Sequence, residues 1–394
     1  MTDETTTPVA TPNSATSKSA DDAAAKPGIG RRKFLAGAAV AGAGAVAMPA
    51  IARAQTTTWR FQSTWPARDI FHEFAADYVK MVNEMSGGRL KLELLPAGAV
   101  VGALQMQDAV LAGALDGGHG VTAYWYGKHK AYSLFGTPPA FGWDANQFLS
   151  WFYHGGGEAL YNELVNDILN LPLTGFLTGP MPTQPLGWFK DEITSAEQLQ
   201  NLKYRTVGLS ADLFNDMGAA VTIVGGPDIV PSMDRGLLDA AEFNNPSSDR
   251  ILGFADVSKN YMLQSYHQDS ECFEVIFNKQ KYEALDPDLR AILRYGAYAA
   301  SSDMYWKAMA RYPQDLAALK EAGVKVTRTP ESVLEAQLAS WDRVIANASG
   351  NEQTGQFFTK VIDSQKAFVK QMGSYFFDAN APKEPAYQHF FGQG

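Results

Sequence analysis

The sequence predicts an α/β fold with two lobes, each a mixed sheet flanked by helices, together with connecting helices and a helical C-terminal extension. Strands and helices alternate over 58–125, the alternation resumes over 174–277, and helical periodicity dominates beyond 286. Such alternation is typical of sheets whose strands are joined by crossover helices. The length of 394 residues is sufficient for two cores of this kind.

The first lobe begins with a strand and a helix. Residues 58–63 alternate like a half-buried strand, and apolar residues at helical spacing predict a helix over 70–85 that ends at Gly87-Gly88. The other elements expected here are a strand over 90–95, a helix over 106–115 and a strand over 120–125.

The second lobe and the C-terminal region follow the same reasoning. Strands are expected over 174–178, 186–189, 203–207, 221–224, 240–243 and 273–277, with helices over 195–199 and 211–217 and a helical turn over 234–238. Later helices are expected over 289–311, 314–322, 330–348 and 356–375. The predicted organisation is lobe 1 at 55–180, completed by about 269–300, lobe 2 at 181–268, and a helical region at 301–394 that packs on both lobes.

Residues 1–54 are expected to be a disordered tail followed by an export signal. The basic residues Arg31, Arg32 and Lys33 precede an uncharged stretch over 34–51, which ends in an A-x-A site at Ala54. This order predicts a signal peptide cleaved near Ala54, and G-R-R-K-F-L matches the twin-arginine type. The alternative is a membrane anchor, for which the stretch is short and weakly apolar. The long tail also leaves open a start codon further downstream.

Charge and cysteine content exclude several classes of partner and site. A formal net charge of −9 argues against nucleic acid as a partner, and an anionic ligand needs a local cation against this background. Cys272 is the only cysteine, which excludes an internal disulfide and a cysteine-based zinc site. It is interpreted as a small buried core residue, with a thiol nucleophile as the alternative.

Enzyme signatures are missing from the sequence. It contains no P-loop, no H-E-x-x-H, no G-x-S-x-G and no complete dinucleotide fingerprint after a strand, so no catalytic residue and no organic cofactor are predicted. The stretch His154-Gly155-Gly156-Gly157 is similar to the oxyanion-hole segment of some lipases. Without a nucleophile elbow, it is interpreted as a helix interrupted where another backbone packs closely. The six histidines lack metal-ligand spacing.

Three polar residues lie at the ends of apolar stretches. Gln184 precedes L-G-W-F, Arg205 lies in the strand-like L-K-Y-R-T-V, and Glu242 closes the run L-L-D-A-A. The planar guanidinium of Arg205 suits bidentate capture of a carboxylate, and a solvated strand residue is the alternative. A carboxylate removed from water at Glu242 has to be paired or bound to a cation.

With these residues in place, the sequence resembles the DctP-like solute receptors of tripartite ATP-independent periplasmic (TRAP) transporters, from about 59 to 348. The resemblance rests on the export signal, Lys203-Tyr204-Arg205, G-L-L-D-A-A-E over 236–242 and E-V-I-F-N-K over 274–279. It implies a periplasmic receptor, not an enzyme, which captures a small organic acid between its lobes. It also implies delivery to TRAP membrane permease subunits for uptake driven by an ion gradient, with Arg205 clamping the substrate carboxylate.

Within that family, the sequence is most similar to the branch that binds 2-oxo and 2-hydroxy monocarboxylates with a metal ion. This implies that Gln184, Glu242 and the backbone carbonyl of Phe243 supply oxygens to Na⁺ or Ca²⁺ bridging the ligand carboxylate, as hard cations require. It further implies that Tyr124 donates to the ligand and that Trp65 lines the cleft. Core packing is the alternative for both aromatic residues.

The sequence also departs from that branch. Phe243 stands where the branch has tryptophan, and Gln268 stands where it often has a second acid. Gln268 retains an oxygen for the substrate or the metal but loses a charge, for which Asp269 or Glu271 could compensate. Asn244 and Asn245 are two further departures, and they offer donors that could contact a substrate hydroxyl or replace part of the metal shell.

Three alternatives to this function stay open at the level of sequence. A reshaped pocket could take a bulkier aromatic or sugar acid. An exported metal-dependent enzyme could use Glu242 as a general base. A sensor-linked binding protein could pass the ligand to a signalling partner. The helix over 356–375 implies a homodimer by analogy with some members of the branch, or it covers its own lobe.

Overall fold

The computed structural model describes residues 56–392, so the predicted export signal with its cleavage site near Ala54 lies outside the described residues. The strands are β1 Thr57–Ser63, β2 Leu90–Leu95, β3 Gly117–Gly120, β4 Leu173–Met181, β5 Gly187–Phe189, β6 Lys203–Arg205, β7 Ala220–Thr222, β8 Ala240–Ala241, β9 Asn260–Met262, β10 Glu271–Asn278 and β11 Lys325–Thr327. The α-helices are α1 Ile70–Met85, α2 Met106–Leu111, α3 Ala145–His154, α4 Gly157–Asn162, α5 Leu209–Asp216, α6 Gly226–Asp234, α7 Pro246–Leu252, α8 Phe254–Val257, α9 Lys279–Glu283, α10 Pro287–Glu321, α11 Glu331–Ser349, α12 Gly355–Asn380 and α13 Lys383–Phe391.

The strands form two mixed sheets. The first has the order β2-β1-β3-β10-β4, in which β1 runs parallel to β2 and β3 while β10 runs antiparallel to β3 and β4. The second has the order β11-β9-β5-β8-β6-β7, in which β6 runs parallel to β7 and β8 while β5 runs antiparallel to β8 and β9. Two mixed sheets flanked by helices confirm the predicted fold class.

Helix α1 illustrates how sequence periodicity becomes packing. Asp69 caps its N-terminus by accepting a hydrogen bond from the Phe71 N–H at 2.9 Å. Phe71, Phe74 and Tyr78 lie on the buried face at helical spacing. The helix ends before Gly87, which adopts a φ of +60°.

The strand predicted over 120–125 is displaced. Strand β3 covers Gly117–Gly120, and a 3₁₀ turn covers Thr122–Trp125. Glycines occupy β3 because its neighbours approach closely: a Cβ on Gly118 would lie 2.9 Å from the Gln62 carbonyl oxygen. The apolar residues after β3 are buried in the 3₁₀ turn and do not form a strand. Their hydrophobicity alone therefore predicted the wrong type of element.

Two other sequence predictions of local structure are wrong. Helix α10 is continuous through Pro313, where two helices were expected to meet. Its packing against α1, β4 and α7 outweighs the hydrogen bond that proline cannot donate. Helix α6 ends at Asp234, the residue at which a helical turn over 234–238 was expected to begin. Its first turn contains Pro227, whose fixed φ suits that position.

Other elements extend or add to the prediction. The C-terminal helix α12 runs to Asn380, and the region expected to be helical also contains β11, which pairs with β9 in the second sheet. The interruption predicted around His154 is confirmed, because a Cβ on Gly157 would lie 2.7 Å from the Phe152 Cα. Cys272 is a free, buried residue, as predicted. No helix within residues 56–392 has the length and apolar character needed to cross a membrane.

The connections between the two sheets determine where a ligand can bind. Residues 182–186 lead from β4 to β5, and residues 263–270 lead from β9 to β10. These connections lie side by side, since the Gln184 N–H donates to the Gln268 carbonyl at 3.0 Å. The carboxyl ends of the parallel strands β6 and β8 are adjacent to each other, the position at which ligands bind in open α/β sheets.

Candidate binding site

Arg205 is a buried arginine at the carboxyl end of β6. Its Nε donates to the Val224 carbonyl at 3.0 Å, and its Nη1 donates to the Glu242 carbonyl at 3.2 Å and to Glu242 Oε1 at 2.9 Å. Within residues 56–392, its Nη2 has no hydrogen-bond partner. The side chain is therefore held through Nε and Nη1 and retains the donors of Nη2.

Glu242 lies between Arg205 and Gln184. One carboxylate oxygen accepts from Arg205, and the other is in direct contact with the Gln184 side-chain amide, assigned here as its donor. Burial raises the pKa of Glu242 above its ordinary value, while the Arg205 charge opposes that rise. A 180° rotation of the Gln184 amide would present its oxygen in place of its nitrogen.

These groups face a narrow cavity with a volume of only about 10 Å³. It is lined by every residue predicted to contact substrate or metal, namely Trp65, Tyr124, Gln184, Arg205, Glu242, Phe243, Asn244 and Gln268. Val121, Val207 and Glu271 complete the lining. The residues come from both sheets and from the connections between them, so the fold brings together positions as far apart in sequence as Trp65 and Glu271.

Several polar atoms around the cavity are buried without a hydrogen-bond partner in the described part of the chain. They are Trp65 Nε1, Arg205 Nη2, Gln268 Nε2 and Glu271 Oε2. An unpaired buried polar group costs about 1–3 kcal/mol, so a cluster of them in one cavity favours a polar ligand that pairs with them. Burial also raises the pKa of Tyr124 to about 12, which keeps its hydroxyl protonated as a donor.

Phe243 forms one wall of the cavity and is held by its packing. Its ring stacks on Phe254 with centroids 5.8 Å apart, and the Arg205 guanidinium carbon lies 5.6 Å from its centroid. A Cβ on Gly226 would lie 2.6 Å from this ring, so glycine is required at the start of α6. This packing fixes the backbone that carries the predicted carbonyl ligand.

The two asparagines after Phe243 have different positions. Asn244 lines the cavity, and its side-chain N–H donates to the Ser248 hydroxyl at 3.2 Å. Asn245 caps α7, because its side-chain oxygen accepts from the N–H groups of Ser247 and Ser248 at 3.0 Å each. The predicted contact with ligand therefore fits Asn244, whereas Asn245 has a structural role.

The two candidates for the missing second acid are also separated. Asp269 lines a wider groove elsewhere, whose lining includes Trp143, Tyr266 and Met309. Glu271 lines the cavity at the start of β10. Burial and the Glu242 charge raise the pKa of Glu271 well above its ordinary value, although Arg205 opposes this. Both acids lie close together in sequence, so no sequence signal could have chosen between them.

The donor set around the cavity fits a hard cation. No group of three histidine, cysteine or acidic side chains that could hold a metal is present in residues 56–392. The oxygens available are those of carboxylates, side-chain amides and a backbone carbonyl, which suit Na⁺ or Ca²⁺ and not a softer transition metal. Gln184, Glu242, Phe243 and Gln268 could supply them, with Glu271 as a further carboxylate.

Comparisons with known proteins identify a family that matches most of the chain. The family model described as "Bacterial extracellular solute-binding protein, family 7" (DctP) matches residues 61–350. The monocarboxylate 2-oxoacid-binding periplasmic protein of Nostoc sp. is 31% identical over 333 residues, which cover 84% of this chain and 88% of that protein.

Solved structures of TRAP transporter solute-binding proteins are similar throughout the fold. The protein from Bordetella bronchiseptica, with calcium and picolinate bound in one site of a mixed-occupancy dimer, gives a TM-score of 0.80 at 26% identity, covering 85% of this chain and 98% of its own. The protein from Colwellia psychrerythraea, with calcium and pyruvate bound, gives a TM-score of 0.77 at 28% identity, and the match covers 86% of this chain and 100% of that protein. The protein from Pseudoalteromonas atlantica, with sodium and pyruvate bound, gives a TM-score of 0.75 at 29% identity, and the match covers 82% of this chain and 98% of that protein.

The family match covers well over half of the chain, and the relatives align along nearly their full length. The fold, the cavity at the strand ends and these matches lead to one conclusion. The chain belongs to the DctP family of bacterial extracellular solute-binding proteins.

Proposed function

We propose that this protein is the receptor of a TRAP transporter and captures a small 2-oxo or 2-hydroxy monocarboxylate together with a cation. The observation that carries the proposal is the free Nη2 of buried Arg205, in a narrow cavity that also contains unpaired polar atoms. A carboxylate placed there would pair with the arginine through charge-assisted hydrogen bonds. The resemblance to a 2-oxoacid-binding protein and to pyruvate-bound relatives supports this choice of acid.

The ligand carboxylate creates a charge problem that a cation solves. Arg205 and Glu242 already form a buried ion pair with a 2.9 Å separation, so Arg205 cannot by itself neutralise a second carboxylate. Gln184, Glu242, the Phe243 carbonyl and Gln268 would hold Na⁺ or Ca²⁺ beside the ligand. The cation would supply positive charge and bind oxygens of the acid. Hydrogen-bond donors to the ligand and part of the cavity wall would come from Tyr124, Trp65 and Asn244.

The size of the cavity favours a small acid over the bulkier alternatives. Its lining side chains, which include the ring of Phe243, leave a cavity of only about 10 Å³, so even a small acid requires the cavity walls to move apart. A sugar acid or an aromatic acid would have to displace these side chains. Picolinate in the Bordetella relative is nevertheless an aromatic acid, so aromatic acids belong among the compounds to be tested.

We infer that binding involves no chemical reaction on the ligand. The family and its relatives are solute-binding proteins. Both Glu242 oxygens are already engaged, by Arg205 and Gln184, so this carboxylate is poorly placed to act as the general base of an enzyme. Conversion of pyruvate or lactate by purified protein would contradict this inference.

We further propose that residues 55–180 with 269–300 and residues 181–268 act as two lobes that close over the ligand. The connections at 182–186 and 263–270 would serve as the hinge. The closed form would then bind the membrane permease subunits.

The proposed route to the periplasm is twin-arginine export with cleavage near Ala54, which mass spectrometry of the exported protein would test.

A homodimer is the proposed state in solution. Large aromatic residues are exposed near the C-terminus, including Tyr375 on α12 and Phe390 and Phe391 on α13. Contiguous exposed apolar residues of this kind mark interaction surfaces. A second copy of the chain is the proposed partner, as in the dimeric Bordetella relative.

Ligand-induced thermal stabilisation tests the function. Wild-type protein should be stabilised by pyruvate or lactate in the presence of Na⁺ or Ca²⁺, and chelator should remove any Ca²⁺-dependent part. Arg205→Ala should weaken ligand binding by about tenfold or more, because charge-assisted hydrogen bonds contribute about 1.5–3 kcal/mol each. Arg343→Ala, which breaks an exposed ion pair with Asp216, is the matched control and should respond like wild type. An unchanged response of Arg205→Ala would contradict the proposed site.

A further inference from the structure

Glu271 is a buried carboxylate for which the fold provides no counter-charge of its own. It is 4% exposed, and within residues 56–392 its Oε2 has no hydrogen-bond partner. It stands at the first position of β10, opposite Met181 of β4. The register between these strands shifts next to it, between Glu271 and Phe273. Such irregularities re-aim side chains at the edges of sites.

The acidic groups that line the cavity can be counted. Glu242 and Glu271 are the acidic side chains in its lining, and Arg205 is the basic one. Gln268, at the position where relatives of this branch often have an acid, is neutral, and Asp269 lines a different groove. Glu271 is therefore the second carboxylate of this site, located three residues beyond Gln268, the position at which the family resemblance implies one.

A charge count connects Glu271 to the cation. Arg205 and Glu242 cancel, which leaves the carboxylate of the bound ligand and that of Glu271, whose buried carboxyl group is ionised only when a cation lies beside it. A divalent cation neutralises both, whereas a monovalent cation leaves one negative charge buried. An uncompensated buried charge costs several kcal/mol. With a neutral residue at position 271, the same count favours the monovalent ion.

Relatives show that the acid alone does not decide the ion. Pyruvate is bound with calcium in the Colwellia protein and with sodium in the Pseudoalteromonas protein.

We propose that Glu271 determines the cation preference of the cavity and makes it select Ca²⁺ over Na⁺. This inference rests on the proposed function, because it assumes that a cation binds with the organic acid. Glu271 acts as the second carboxylate that balances the divalent charge, in place of the acid replaced by Gln268.

Calorimetric titration of chelator-treated protein with pyruvate, in Ca²⁺ or in Na⁺, tests the proposal. Wild type should bind pyruvate more tightly with Ca²⁺. Glu271→Gln should lower the ratio of the two affinities by about tenfold or more, within the usual range for coupling between binding sites. Glu271→Ser, which buries no unpaired amide, gives the same comparison if Glu271→Gln folds poorly. A ratio that stays within about twofold of wild type in a folded variant would overturn the proposal.

Two further variants separate a charge effect from a structural one. Glu274→Gln removes a buried carboxylate from the same strand, where Glu274 contacts Trp125 and Tyr161 and not the cavity, and it should keep the wild-type preference. Combining Gln268→Glu with Glu271→Gln restores a second acid to the cavity and should restore the preference for Ca²⁺. Failure of this rescue, or loss of the preference in Glu274→Gln, counts against the assignment.

The titrations keep the failure of the two proposals distinguishable. If no organic acid binds to wild type in either ion, the proposed function fails and the inference about Glu271, which assumes the bound acid, is overturned with it. If pyruvate binds to wild type and to Glu271→Gln with the same preference for Ca²⁺, only the inference about Glu271 fails. A wild-type preference for Na⁺ would likewise overturn it.

Discussion

At the scale of single residues, Arg205 divides its donors between the fold and the cavity. Two of its nitrogens bind Val224 and Glu242, and the third has no partner in the described chain. An arginine held in this way loses little conformational entropy when a carboxylate arrives, because its rotamer is already selected. The ion pair with Glu242 therefore positions the clamp before any ligand binds.

Glu274 allows a prediction about pH. Burial raises the pKa of Glu274 to about 7, despite hydrogen bonds from Tyr161 and Trp125 that lower it. Between its ordinary pKa and about 7, the folded state binds more protons at this residue than the unfolded state does. Its contribution to the free energy of unfolding is therefore present at acidic pH and lost as pH rises towards 7.

Urea unfolding of wild type and Glu274→Gln at pH 5 and pH 8 measures this contribution. From pH 5 to pH 8, the free energy of unfolding of wild type should fall by up to about 3 kcal/mol more than that of the variant, since each pKa unit corresponds to about 1.4 kcal/mol. Equal losses in both proteins would show that Glu274 does not titrate in this range. The variant retains a neutral side chain of the same shape, so packing is matched.

At the scale of elements, α7 is a short helix that depends on its first residues. Asn245 accepts two backbone hydrogen bonds at its N-terminus, and Pro246 supplies a suitable φ at the first helical position. Ser248 of this helix donates to Asp69, the cap of α1, at 2.9 Å. The helix thereby links the segment after Phe243 to the start of the first long helix.

Asn245→Ala should destabilise the protein by about 1 kcal/mol through loss of this cap, while leaving the affinity for ligand close to wild type. Asn245→Asp, which keeps a capping oxygen, should recover most of the stability. Asn244→Ala is the comparison at the neighbouring position and should weaken ligand binding more than it lowers stability. Denaturant unfolding and calorimetric titration of the three variants check this division, and a binding defect in Asn245→Ala would contradict it.

At the scale of the whole molecule, the aromatic surface at the C-terminus suggests assembly. Tyr375 is 67% exposed and Phe376 is 44% exposed, at the point where α12 continues past the end of the predicted helix at 375. A single copy of the chain leaves these rings in water, which is unfavourable for neighbouring large apolar side chains.

Sedimentation velocity should detect a dimer of wild-type protein and a monomer of the double variant Tyr375→Ser with Phe376→Ser. Trp306→Ser, which removes a 68% exposed aromatic residue from α10, is the control and should remain dimeric. Both variants alter exposed side chains, so the fold should persist. A monomeric wild type would favour the alternative in which α12 only covers its own chain.

Much of the fold was predictable because periodicity and turn residues act locally. The strand over 58–63 and the helix over 70–85 appear as β1 and α1, since alternation and helical spacing directly reflect which face is buried. The prediction failed where tertiary contacts override local preference. Glycines form β3 because of close neighbours, and α10 passes through Pro313 because of its packing.

The sequence by itself determined the α/β class, the family resemblance and the polar residues at the strand ends, since these depend on residue type and spacing. Only the tertiary structure decided how those residues are grouped. It placed Glu271 in the cavity and Asp269 outside it, and it assigned Asn245 to a helix cap and Asn244 to the cavity wall. The physical reason is that residues a few positions apart differ little in pattern, whereas strand register and loop path determine which side chains are buried together.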